Sequence, residues 1–170
     1  TLASALANAI SKRGSAWLLA GESGVGKSRL IDELRTQAMV DGALVMRGQA
    51  VAEGGNPYEI WRMVLRWISL LTNLSDTDAS IVKLIAPEIT GLSDSVDAQL
   101  AQLEPHRVQT NLLRLLDEVL RSQERSIVIT LEDLHWSSKE SLALLSHLSG
   151  FIDDLPLLIV ASFRDDEHPN

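Results

Sequence analysis

Eight consecutive residues carry the first candidate chemistry. Gly21-Glu22-Ser23-Gly24-Val25-Gly26-Lys27-Ser28 fits G-x-x-x-x-G-K-[ST] at every fixed position. Glycines let the backbone curl until successive N–H groups converge on an anion. A helix that starts there adds its positive end at the same point. In such a loop Lys27 reaches the β- and γ-phosphates of a nucleotide, and the Ser28 hydroxyl ligates Mg²⁺. Arg29 follows directly and is counted with the loop as a candidate nucleotide-binding residue. A glycine-rich turn with a surface lysine is the bland reading. The position of this loop between an apolar run and an amphipathic run argues against it.

A second constellation is the pair Glu132-Asp133, which closes the apolar run of residues 126–131. A buried strand ends in two acids only where something cationic waits, or where the pair caps the next turn. In a fold built on a phosphate loop, the strand with the second acidic motif lies beside that loop. Glu132 then stands where the metal-coordinating acid belongs, and Asp133 where a residue polarises the attacking water. With Ser28, both acids are candidate metal-site residues. The order Glu-Asp reverses the commoner Asp-Glu, and the shorter base predicts slow turnover. Arg164 ends the last apolar run, from where a guanidinium could reach the γ-phosphate; pairing with Asp165, Asp166 or Glu167 is its alternative. The candidate catalytic set is therefore Lys27, Glu132, Asp133 and Arg164. Ser162 could add a hydrogen bond. His135 and Trp136 follow the acids and could shape the site or simply pack. Tyr58, Trp61 and Trp67 follow helical spacing and read as core.

These residues need elements to hold them. Leu2, Leu6, Ala9 and Ile10 share one helical face, with Gly14 as the stop. Residues 16–20 read as a short buried strand. A helix over 27–40 turns Leu30, Ile31, Leu34 and Ala38 inward, and a second strand spans 43–48. Pro57 suits a first helical position, and Ile60 to Leu71 mark one face. Residues 73–103 are less regular, with a short helix near 80–86 ended by Pro87. From Pro105, Val108, Leu112, Leu115, Leu116 and Val119 form another stripe. Ser137 and Glu140 read as a capping box before a helix with Leu142, Leu145 and Leu148 inward. Residues 157–163 make the fourth strand. Continuous apolar strands alternating with helices predict a parallel sheet covered on both faces. The expected architecture is a three-layer α/β/α nucleoside-triphosphatase domain. It has a parallel sheet of at least four strands and a helical insert after the second. Ligands of such sheets bind at the carboxyl ends of the strands, where all the candidate residues fall.

Composition narrows the partners. The 170 residues fit one domain, and 45% hydrophobic residues suit a packed core. A net charge of -8 argues against a nucleic-acid or membrane-surface binder, and Lys12-Arg13 is too small a basic patch to reverse that. There is no Cys, and the four His show no ligand spacing. No run approaches the roughly 18 apolar residues of a membrane span. No signal peptide is apparent, so a cytoplasmic setting is expected. The chain opens at Thr1 and stops at Asn170, which reads as one core excised from a longer protein.

Together, AWLLAGESGVGKSRLIDEL, RGQAVAEGGNPYEIW, ITLEDLHWSSKESLALL and LLIVASFRDDE resemble the ATPase domain of the STAND class. These are AAA+-related regulatory ATPases of large bacterial signalling proteins and transcriptional regulators. The resemblance runs over nearly the whole chain and is weakest in residues 73–103. It implies an ATP/ADP-controlled switch with Mg²⁺, and Arg164 as a sensor. It implies partner domains in the same protein: a DNA-binding, kinase or cyclase module and a helical-repeat sensor arm. It also implies an adenine-holding element before Thr1, and a last strand, lid and winged-helix subdomain after Asn170. ATP is expected over GTP, in keeping with the lack of an Asn/Thr-Lys-x-Asp motif. A monomer is expected, with ATP-dependent assembly of the longer protein. An AAA+ ATPase acting on nucleic acid, of origin-binding or clamp-loading type, is the main alternative. A small-molecule kinase and a nucleotide-dead scaffold are weaker ones, lacking an Arg-rich lid and contradicted by the intact Lys27 and Ser28 respectively.

Overall fold

The computed structural model describes residues 1–52, 56–89 and 105–165. Its elements run, in chain order, α1 (Leu2–Ile10), β1 (Ser15–Leu19), α2 (Lys27–Val40), β2 (Leu44–Gln49), α3 (Arg62–Leu71), α4 (Asp76–Ile85), α5 (Pro105–Ser122), β3 (Ile127–Glu132), α6 (Lys139–Ser149) and β4 (Leu157–Ser162). Short 3₁₀ turns lie at Glu59–Trp61, Leu134–Trp136 and Ile152–Asp154. The four strands are parallel and ordered β1-β4-β3-β2. This is the α/β architecture the apolar runs predict.

The sheet has two unequal covers. Strand side chains alternate between faces, so one strand serves both. Ile127, Ile129 and Leu131 of β3, with Leu157, Ile159 and Ala161 of β4, face a broad core with Trp61, Leu65, Leu112, Leu116 and Leu148 from the later helices. Val128, Leu158 and Val160 face a thinner core with Leu6 and Ala9 of α1 and Ile31, Leu34 and Ala38 of α2. Gly48 makes the broad side possible. A Cβ there would lie 1.9 Å from the Ile60 carbonyl oxygen, so only glycine lets the 3₁₀ turn press against β2.

The structure corrects several local expectations. Residues of β1 read as buried, yet Trp17 is 40% and Leu18 60% exposed. Among the described residues β1 pairs only with β4, so it forms an edge of the sheet. Pro57 does not open a helix. It sits in a turn with Tyr58 at φ 65°, a left-handed conformation, and the α-helix starts only at Arg62. Leu30 and Leu142 are not inward but exposed. Ile31, Leu34 and Ala38 make the α2 stripe, and Ser141, Leu144 and Leu148 that of α6. The cap of α6 is Ser138, whose hydroxyl accepts from the Ser141 N–H at 3.2 Å, so the Ser137–Glu140 box does not form. Two apparent caps in tandem compete, and the packing of Leu144 and Leu148 selects the register. The short helix before Pro87 starts earlier than expected, at Asp76, capped by Ser75. Trp61 and Tyr58 are core, whereas Trp67 is 42% exposed.

Candidate functional site

Local chain chemistry builds the loop. β1 ends at Leu19 and α2 starts at Lys27, so the glycine-rich segment bridges a strand end and a helix start. Gly24 at φ 82° and Gly26 at φ 96° take left-handed conformations that other residues adopt only with strain. Gly26 caps α2 without any side-chain acceptor, which leaves the first N–H groups of the helix for an external anion. Residues 22–26 are exposed. The half-buried Lys27 donates to the carbonyl oxygens of Gly21 and of Glu22, the latter at 2.8 Å. Its ammonium thus sits inside the curl of the loop, held by oxygens that an anionic phosphate can replace. Ser28 is exposed at the helix start. Arg29 turns along the helix surface to Glu33 at 3.1 Å.

The acidic pair stands at the end of β3, two strands from β1, and its two members live in different surroundings. Glu132 is 8% exposed and lies on the α2 side of the sheet. Its Oε1 accepts from Arg35 Nη2 at 2.6 Å. Arg35 also donates from Nε to Thr130 Oγ1 at 2.9 Å and from Nη1 to Asp32 Oδ1 at 2.7 Å. Asp133 leaves the sheet at φ 60° and ψ 44°, a conformation that, glycine apart, short polar side chains tolerate best. Its half-buried carboxylate accepts from Gln49 Nε2 at 3.2 Å, and Arg164 Nε lies 4.0 Å from its other oxygen. The ends of β2, β3 and β4 therefore meet in the row Gln49–Asp133–Arg164. Asp166 and Glu167, the alternative partners of Arg164 along with Asp165, lie outside the described residues. Ser162 is 4% exposed at the end of β4. The His135 and Trp136 rings pack 5.0 Å apart at a 50° tilt, with Trp136 43% exposed.

Two participants escaped the sequence reading. Arg35 carried a signal, because a charged residue interrupts the inward stripe Ile31, Leu34, Ala38. Gln49 carried none, since its meeting with Asp133 depends on strand register across β2 and β3. A separate cavity of about 490 Å³ is lined by Pro57, Tyr58, Arg62, Leu84, Val108 and Glu140 among others, and shares no residue with the loop. Burial, and then the nearby Glu140 carboxylate, pushes the Tyr58 phenol there above its ordinary 10.0.

A glycine loop between strand and helix, with acids and a guanidinium at neighbouring strand ends, defines a phosphate-loop α/β domain. The family profile of the AAA ATPase domain matches residues 1–160, and the chain belongs to that family. The uncharacterized protein R02095 of Rhizobium meliloti (strain 1021) is 27% identical; the match covers 89% of this chain but 16% of that protein's length. Among solved structures, a chain of Drosophila ORC bound to DNA is similar with a TM-score of 0.50 at 16% identity, over 99% of this chain and 75% of that one. A chain from Drosophila ORC bound to AT-rich DNA and Cdc6 matches with a TM-score of 0.46 at 12% identity, over 96% and 44%. Among the described residues no helix is long and apolar enough to cross a membrane.

Proposed function

We propose that this domain is a slow ATP-hydrolysing switch, bound in turn by ATP and ADP, within a larger signalling or transcription-regulatory protein of the STAND class. The observation that carries the nucleotide reading is the Lys27 ammonium seated in the loop curl, on the carbonyls of Gly21 and Glu22. In this reading the loop N–H groups and Lys27 take the phosphates, the lysine exchanging its carbonyl partners for phosphate oxygens, and together they stabilise charge as it moves to the leaving oxygen. Hydroxyl and carboxylate oxygens from Ser28, Glu132 and Asp133 make a donor set of the kind that holds Mg²⁺, which would neutralise phosphate charge. Asp133 orients the attacking water and accepts its proton. Gln49 fixes one oxygen of that carboxylate, and Arg164, close to the other, responds to the γ-phosphate. The reversed Glu-Asp order supports slow turnover, which suits a switch better than a motor.

The longer protein supplies the signal and the output through a helical-repeat arm and a DNA-binding, kinase or cyclase module. The domain itself is monomeric and cytoplasmic in this reading. The test is Asp133→Asn. ATP binding is expected to persist while single-turnover hydrolysis falls about 10²–10⁴-fold, the usual worth of a positioned base. Undiminished hydrolysis removes Asp133 from that role. An AAA+ ATPase acting on nucleic acid is the second reading, raised by the fold similarity to a DNA-bound ORC chain. The net charge of -8 weighs against it, and salt-dependent DNA binding by the domain would favour it.

A further inference from the structure

Among the described ion pairs, Arg35–Glu132 is the one in which both side chains are nearly enclosed, each 11% exposed. The others that lie along helix surfaces or join helices leave at least one partner substantially open, as Arg114 is at 42% in its pairs with Asp78 and Glu118. A buried ion pair is poor evidence for stability, because apolar residues of similar volume serve as well or better. Its place is what matters here. Arg35 lies two turns beyond Ser28 on the same face of α2. Its guanidinium is fixed from both sides, by Asp32 on its own helix and by Thr130 on β3, before Glu132 is considered. Glu132 is thus held through Oε1 by a group whose position is set independently.

We propose that Arg35 is a positioning residue that ties the phosphate-loop helix to the acid at the end of β3. It takes one oxygen of Glu132 and so fixes where the rest of that carboxylate points. The helix that carries Lys27 and Ser28 at its start thereby carries the alignment of Glu132 as well. Without Arg35, a carboxylate this buried has lost its compensating charge, and by taking up a proton or turning toward water it no longer presents a fixed anionic oxygen. This inference rests on the nucleotide reading above.

The experiment titrates Mg²⁺ into the protein with a fluorescent ATP analogue and reads the Mg²⁺ half-saturation of binding, with analogue affinity in EDTA as the control. Arg35→Met is expected to raise the half-saturation about tenfold, the low end of the loss seen when a carboxylate's outer partner is removed. Affinity in EDTA stays unchanged, since Lys27 is untouched. Arg35→Lys, which keeps the charge but not the fork, recovers part of the loss. In a Glu132→Gln background Arg35→Met shifts the half-saturation no further. If Arg35→Met does not fold, Arg35→Lys alone and combined with Glu132→Gln runs the same cycle. An equal shift in both backgrounds, or a lowered melting temperature with unchanged Mg²⁺ dependence, overturns the positioning role. A wild-type protein that binds no analogue at all overturns the nucleotide reading, and this inference with it.

Discussion

The two faces of the sheet do different jobs. The face toward α3–α6 buries Trp61, Leu65, Ile68, Leu112, Leu116 and Leu120 completely. The face toward α1 and α2 is thinner, built on Leu6, Ile31, Leu34 and small alanines, and it carries a buried guanidinium and carboxylate between its apolar residues. The phosphate loop opens into α2 on that leaner side. Apolar burial is thus concentrated where no candidate chemistry lies. The leaner face trades apolar contact for charges that must meet at the strand ends.

Substitutions on the two faces should therefore separate stability from ligand binding. The largest effect is expected from Leu116→Ala, deep in the broad core. A truncated buried leucine costs roughly 2–5 kcal/mol. The melting temperature should fall on the order of 10 °C, with ATP affinity below the transition unaltered. A matching loss of affinity would mean that the faces are not separable. Gln49→Ala is expected to do the reverse at smaller size. Losing one exposed hydrogen bond of this length costs about 0.5–1.5 kcal/mol, so hydrolysis slows roughly two- to tenfold, with the melt unmoved. Glu88→Gln is smallest. Its bond to Arg62 at 2.6 Å holds the Glu88 carboxyl below its ordinary 4.5. A depressed folded-state value means stability that is present above pH 4.5 and lost as the pH falls through the folded value. Glu88 is 44% exposed in that pair, so solvent screening leaves at most about 0.5 kcal/mol. Acid melts of wild type and variant should converge, with their small difference confined to higher pH.

Much of this was legible in the sequence, for identifiable reasons. Continuous apolar runs placed all four strands within a residue or two; β3 and β4 are buried along their whole length, which leaves no ambiguity of period, while β1 and β2 are marked by short apolar runs between turn residues although they are more exposed. The loop was legible because glycine, lysine and serine at fixed spacing have few other uses. Fine registers were not. Leu30 and Leu142 look as inward as their neighbours until the helices dock, and Ser137 looks as good a cap as Ser138. The exposure of β1 depends on sheet order, which no local pattern encodes. The different surroundings of Glu132 and Asp133 were hidden for the same reason. Arg35 and Gln49 reach them from 97 and 84 residues away in the chain.

The proposed function stands or falls on an adenine nucleotide bound at Gly21–Ser28 through Lys27. Its most direct test is a thermal melt of the wild type and of Lys27→Ala, each with Mg²⁺ and with ATP, ADP, GTP or no nucleotide. Ligand at about 100 times its dissociation constant adds roughly 2.7 kcal/mol. In a protein of this size that raises the melting temperature on the order of 5–10 °C. That rise is expected with ATP and ADP for the wild type, with no rise for Lys27→Ala and equal melts of the two proteins without nucleotide. Equal stabilisation of both proteins by ATP would contradict the proposed function.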